Sequence, residues 1–144
     1  MAIPTPRSLP RGDETILVVE PEPETRKLAA FMLAKQGYCV LEARNSSEAV
    51  RVFDEHHGPV HLLLTAATMS RVNGLDLSLM LEVRSPGLRT LFLVDSEYER
   101  KSRRSATMRG ASVVTRPFTM AILSTKVRQA LDAPGKVLAA GLRA

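Results

Sequence analysis

Thr15-Ile-Leu-Val-Val19 is a continuous apolar run with the length of one β-strand. A helical pattern follows it, in which Leu28, Phe31 and Met32 recur at the spacing of one helix face and Gly37 stands where a helix cap is expected. A strand without polar alternation is typical of a sheet that is covered on both faces. The opening of the chain therefore predicts a strand and then a helix that packs through Leu28, Phe31 and Met32.

The same alternation continues along the chain. Four further apolar runs of strand length lie at 38–41, 60–65, 90–94 and 111–115. Between them Asn45 or Ser46 can cap a second helix, and 97–109 has the pattern of a polar, weakly amphipathic helix. A last helix carries an apolar stripe that consists of Leu123, Val127, Ala130 and Leu131. Five such units predict a parallel, doubly wound α/β sheet with helices on both faces.

Segment 75–84 allows two interpretations. Its leucines alternate with other residues as they would in a strand, whereas Leu, Met and Glu all favour a helix. The strand–helix rhythm on either side favours the helix, with a turn at Asn73-Gly74 before it.

Length and composition are those of one globular domain. The chain has 144 residues, of which 44% are hydrophobic and 24% charged. This composition excludes a chain that is disordered throughout, a collagen-like repeat and a membrane span. We expect a disordered, proline-rich leader at 1–13, a domain at 14–132 and a C-terminal tail at 133–144. Because Cys39 is the only cysteine and no apolar secretory signal opens the chain, a cytoplasmic protein is expected.

The charge is unevenly distributed. Residues 1–99 have ten Lys and Arg against fourteen Asp and Glu, a net charge of −4, whereas 100–144 have ten against Asp132 alone, a net charge of +9. Five of these basic residues fall together at Arg100, Lys101, Arg103, Arg104 and Arg109. They form either a contact surface for an acidic partner or a solvated helix. The sequence does not favour nucleic-acid binding, because it has neither a helix-turn-helix pattern nor an aromatic stacking set.

In a sheet of this kind, functional groups lie in the crevice beyond the carboxyl ends of the strands. Those ends carry Glu20-Pro21-Glu22, Ala66, Val94-Asp95-Ser96 and Arg116-Pro117. We therefore expect the functional site, if the chain has one, among these residues.

Three motifs at the strand ends resemble one family. Ile16-Leu-Val-Val-Glu-Pro-Glu-Pro23 is similar to the first strand and acidic pair of CheY-like response-regulator receiver domains. The segment 62–74 resembles the third strand and its loop, and Thr115-Arg-Pro-Phe118 resembles the family's Lys-Pro-Phe motif. The resemblance covers about 15–131 and implies a flavodoxin-like (βα)5 fold with strand order 2-1-3-4-5. It also implies a cis bond between Arg116 and Pro117.

The resemblance implies a role in two-component signalling. Receivers accept a phosphoryl group from a histidine kinase on an aspartate, with Mg²⁺ held by carboxylates and with a hydroxyl and a lysine around the phosphoryl group. They are signalling modules rather than enzymes. The implied partner is a histidine kinase or another signalling protein, and no contact with a membrane is expected. A homodimer through the fourth helix, fifth strand and fifth helix is a further implied contact, and the basic residues fall on that face.

This sequence departs from the family at most of the positions that carry the chemistry. The family's two acidic positions fall on Glu20 and Pro21, and its phospho-acceptor position falls on Ala66. The hydroxyl and lysine positions fall on Val94 and Arg116. The position of the aromatic residue that reports the switch falls on Val113. Proline offers no side-chain ligand for Mg²⁺, and a methyl group cannot accept a phosphoryl group. The sequence therefore predicts a degenerate pseudo-receiver that binds no Mg²⁺ or other cofactor and signals by protein–protein contact.

Three alternatives stay open at this point. Arg116 either pairs with Glu20 across the strand ends or is solvated. An active receiver could use a shifted acceptor such as Asp95, with Mg²⁺ held by Glu20, Glu22 or Asp95. The chain could also be a nucleic-acid-binding or scaffold protein on the same fold, because fold alone does not fix function.

Overall fold

The structure, a computed structural model, describes residues 9–69, 71–95 and 112–134. The five strands are β1 (Thr15–Val19), β2 (Cys39–Ala43), β3 (Leu62–Ala66), β4 (Arg89–Asp95) and β5 (Val113–Arg116). The four helices in these ranges are α1 (Pro23–Lys35), α2 (Ser46–Glu55), α3 (Gly74–Arg84) and α4 (Met120–Asp132). No helix of the described residues is long and apolar enough to cross a bilayer. The predicted helix at 97–109 lies outside the described residues.

The strands form one parallel sheet in the order β2-β1-β3-β4-β5. This is the predicted flavodoxin-like order, and it is confirmed. Every residue of β1 and β3 is buried, as expected for strands covered on both faces. Segment 75–84 is helical, as the strand–helix rhythm predicts. Asn73 caps the start of α3, and Leu77 and Leu81 are buried in the core.

Two apolar clusters cover the two faces of the sheet. On one face, α1 and α4 pack through Leu33, Leu123 and Val127 against alternate residues of the strands. On the other face, α2 and α3 contribute residues such as Ala49 and Leu81. The predicted stripe of the last helix is confirmed, because Leu123, Val127 and Ala130 are buried and Leu131 packs partly against them.

The predicted packing face of α1 is wrong. Leu28 and Phe31 are exposed, the latter at 59%, and Met32 is only partly buried. The helix packs instead through four residues at helical spacing: Arg26, Ala29, Ala30 and Leu33. Two small alanines let the helix lie close to the sheet, so the larger side chains fall on the outer side. There the Lys35 ammonium lies 5.5 Å from the centre of the Phe31 ring.

Residues 9–13 of the predicted disordered leader are held against the domain. The buried Gln36 side chain donates to Pro10 O at 2.9 Å, and Gly12 N donates to Gln36 O at 3.0 Å. Gly37, with φ 99°, allows this approach, because a Cβ atom there would collide with Gly12 O. The expectation of disorder therefore does not hold for 9–13. Residues 1–8 and 135–144 lie outside the described part, and the domain boundaries stay a prediction.

Arg128 of α4 connects the last helix to Arg11 of the leader and to Glu14, the residue before β1. Its guanidinium donates to Glu14 Oε2 at 2.6 Å, to Asp132 Oδ2 at 2.9 Å and to Arg11 O at 2.9 Å. The hydrogen bond from Arg128 is the main reason that the pKa of Glu14 lies below its usual value.

We expect Arg128→Met to lower the free energy of unfolding by about 1–2 kcal/mol at pH 7. The folded-state pKa of Glu14 is depressed, so its contribution is present above the unfolded value of about 4.3 and is lost as pH falls further. The difference between the two proteins in urea unfolding should therefore shrink from pH 7 to pH 3. Arg51→Met, on an exposed α2 pair, should cost less than about 0.5 kcal/mol. A difference for Arg128→Met that is the same at both pH values would contradict this account.

Candidate functional site

The strand order brings the predicted site residues to one edge of the sheet. In the register of the strands, Ala66 lies opposite Leu93 and Val94 lies opposite Thr115. Glu20 directly follows β1, at the same edge. Because parallel strands end on the same side, the carboxyl ends of β1, β3, β4 and β5 form one crevice.

An ion pair crosses this crevice. Arg116 Nη1 donates to Glu20 Oε1 at 2.5 Å, although the two residues are 96 positions apart in the chain. The second carboxylate oxygen of Glu20 accepts a hydrogen bond from Glu22 N at 2.8 Å. The Glu20 side chain is only 3% exposed and that of Arg116 is 27% exposed. Arg116 is therefore paired with Glu20 in the structure and is not a solvated side chain.

A second arginine fixes the backbone of the same residue. Arg26 Nη1 donates to Glu20 O at 2.8 Å, and Arg26 Nε lies 3.4 Å from Glu42 Oε1. Lys27 Nζ also reaches that oxygen, at 3.2 Å. Sequence reasoning missed Arg26, yet its spacing from Ala29, Ala30 and Leu33 is that of one helix face. The buried guanidinium therefore holds the end of β1 in place from the α1 side.

The two residues that the resemblance assigns to the acceptor and hydroxyl positions, Ala66 and Val94, are buried and apolar. Ala66 and Val94 are both almost fully buried. Val94 belongs to a small cluster with Ala67 and Phe92, against which Leu75 and Val113 pack. Neither Ala66 nor Val94 carries a side-chain oxygen, so this wall of the crevice is apolar.

The remaining carboxylates are placed differently. Glu22 caps α1, since its Oε1 accepts from Glu24 N at 3.1 Å, and Pro21 beside it is exposed. Asp95 is exposed at the end of β4, opposite Arg116 in the register. Among the described residues, no three His, Cys, Asp or Glu side chains are grouped so that they could hold a metal ion. The loss of Mg²⁺ binding stays a prediction.

The loop after β3 is fixed by close backbone contacts. Gly74 N donates to Ala67 O at 3.0 Å, and a Cβ atom on Gly74 would collide with Ala66 O. Ser46 Oγ donates to Val72 O at 2.8 Å. On the other side of the crevice the Arg116–Pro117 bond is cis, as the resemblance implies.

The basic residues predicted for partner contact cannot be placed in this geometry. Arg100, Lys101, Arg103, Arg104 and Arg109 all lie in 96–111, outside the described residues. Their role stays a prediction.

Comparison with known proteins gives one consistent result. The family model of the response regulator receiver domain matches residues 16–128. The response regulator receiver protein CpdR of Brucella abortus is 27% identical over 118 residues, which are 82% of this chain and 97% of that protein. The sensor kinase CckA of the same species is 26% identical over 121 residues, and the chain spans 13% of its length.

Solved structures agree with this match. The response regulator TrrA of Thermotoga maritima, solved in complex with Mg²⁺ and BeF, has a TM-score of 0.69 at 25% sequence identity. The match covers 82% of this chain and 99% of that protein.

Proposed function

The chain belongs to the response regulator receiver domain family, and we propose that it acts in two-component signalling without accepting a phosphoryl group. The observation that carries this proposal is the Glu20–Arg116 ion pair, at 2.5 Å, across the crevice in which the acceptor position is Ala66. The proposal includes no catalytic activity of the chain's own.

Phosphoryl transfer to a receiver needs a nucleophile, a metal and a neighbouring donor. A methyl group at Ala66 supplies no nucleophile, and Val94 supplies no hydroxyl for the phosphoryl oxygens. Mg²⁺ requires several oxygen ligands in near-octahedral geometry. Pro21 has no ligand atom in its side chain, and both oxygens of the neighbouring Glu20 already accept hydrogen bonds.

The ion pair joins two opposite charges in the crevice without a phosphoryl group. In the family's pattern a lysine stands at the position of Arg116. That lysine stands beside the phosphoryl group, whereas the guanidinium of Arg116 pairs with the Glu20 carboxylate. The carboxylate is largely shielded from water. Since this arrangement forms without phosphorylation, we propose that the chain presents one constitutive surface to its partners.

We propose that the signal passes by protein–protein contact in the cytoplasm, with a histidine kinase or another signalling protein as partner. The support is the charge pattern: the basic residues at 100–109 give this part of the chain an excess of +5. Such an excess of positive charge fits an acidic partner and would make association weaken as salt is added.

The test is incubation with acetyl phosphate and Mg²⁺, followed by intact-protein mass spectrometry, with TrrA as the positive control. We expect no phosphoryl adduct on the chain. Ala66→Asp alone should not restore labelling, because Pro21, Val94 and the ion pair remain. It should lower the free energy of unfolding by about 2 kcal/mol, since it buries a carboxylate at an apolar position. An adduct that Asp95→Asn removes would overturn the proposal in favour of a shifted acceptor.

A further inference from the structure

The outer side of α3 carries three large apolar side chains. Leu79, Met80 and Val83 are 54%, 40% and 83% exposed. The opposite side of the helix is the packed one and consists of Gly74, Leu77, Ser78 and Leu81. Single exposed apolar residues are ordinary, whereas a contiguous group is typical of an interaction surface.

The three side chains form a continuous stripe. Successive residues of an α-helix turn by about 100°, so Leu79, Met80 and Val83 fall within an arc of about 100°. Asp76 lies on the same arc, one turn closer to the start of the helix. The centre of this arc faces away from the buried residues of α3.

The charges at the two ends of the stripe are opposite. Asp76 is exposed in the first turn, and Arg84 stands in the last turn, where its Nε lies 3.1 Å from Asp54 Oδ1. The remaining nitrogens of that guanidinium can still donate to a second carboxylate. If two copies of α3 pack antiparallel about a two-fold axis at Met80, Asp76 of each copy faces Arg84 of the other. A parallel pair would place like charges together.

We propose that the partner of this face is a second copy of the chain, joined through antiparallel α3 helices. The face is self-complementary in both respects that a two-fold interface needs, an apolar centre and reciprocal charges. Its two exposed turns offer far less area than the roughly 800 Å² per partner of a standard interface. The dimer is therefore weak and transient. It uses a different face from the contact that the family resemblance implies, which involves the predicted helix at 97–109, β5 and α4.

The first experiment is sedimentation equilibrium of the full chain over a range of concentrations up to about 1 mM, the range in which a weak dimer forms. We expect a monomer–dimer equilibrium that Val83→Lys weakens at least tenfold. Ile122→Lys is the matched control, because Ile122 is 48% exposed on α4, and it should leave the equilibrium unchanged. A chain that stays monomeric throughout, or a dimer insensitive to Val83→Lys, overturns the proposal.

The second experiment tests the antiparallel geometry with charge reversals. Asp76→Arg and Arg84→Asp should each weaken the homodimer, since each places like charges opposite one another. An equimolar mixture of the two variants should dimerise again, because every contact in the mixed dimer joins an acid to a base. Thermal unfolding of each variant verifies its fold. A mixture that dimerises no better than its components overturns the proposed arrangement.

Discussion

Arg116→Met will lower the free energy of unfolding by about 3 kcal/mol, because it leaves a buried carboxylate without its ionic partner. With the guanidinium in place the Glu20 side chain is only 3% exposed, so few water contacts are available to stabilise its charge. The remaining hydrogen bond from Glu22 N, at 2.8 Å, satisfies only the other oxygen. Urea unfolding at pH 7, monitored by circular dichroism, measures the loss.

A double-mutant cycle separates this ion pair from packing effects. Glu20→Gln removes the charge with little change in shape, and the double variant Glu20→Gln/Arg116→Met removes both charges. We expect the double variant to be more stable than the sum of the single losses predicts, with a coupling of about 1.5 kcal/mol or more. Additive losses would show that Arg116 and Glu20 do not interact in solution.

Gly74→Ala will destabilise the domain by at least about 2 kcal/mol, because a Cβ atom there collides with the backbone of the neighbouring strand end. The Cβ atom would collide with Ala66 O. A shift of the loop after β3 that avoids this collision would break the hydrogen bond from Gly74 N to Ala67 O. Glycine is needed here for space, since Gly74 does not have a left-handed φ.

Gly87→Ala is the matched control for this substitution. No heavy atom lies within 4 Å of the Cβ position at Gly87, and its φ is not left-handed. We expect this variant to change the free energy of unfolding by less than about 1 kcal/mol, with a stabilising sign from the reduced freedom of the unfolded chain. Equal losses at the two glycines would contradict the steric explanation.

The strands could be predicted from sequence because their apolar runs have no polar alternation. The run Thr15–Val19 has the same bounds in the structure. The helix packing face was harder. Apolar periodicity gives weight to large residues, so it selected Leu28 and Phe31, whereas the sheet accepts α1 through Ala29 and Ala30. Size and closeness of packing, which periodicity does not measure, decide which side is buried.

The site could be located from sequence but not resolved in detail. Strand ends placed Glu20 and Arg116 in one crevice, and only side-chain positions decide between a pair and a solvated arginine. Arginine is usually exposed, so the sequence does not predict that Arg26 is buried. The sequence predicts that residues 9–13 are disordered, whereas hydrogen bonds hold them against the domain. A hydrogen bond such as that from the Gln36 side chain to Pro10 O cannot be recognised from a sequence pattern.

An amide NMR titration of the full chain with Mg²⁺ and then beryllofluoride tests most directly whether the crevice can bind a phosphoryl group. TrrA, whose structure holds Mg²⁺ and BeF, serves as the positive control. We predict that the amide signals of Glu20, Ala66 and Arg116 do not move, because the acceptor is absent and the ion pair occupies the carboxylate. Saturable, Mg²⁺-dependent shifts at these three residues would contradict the account and would direct the next substitution to Asp95.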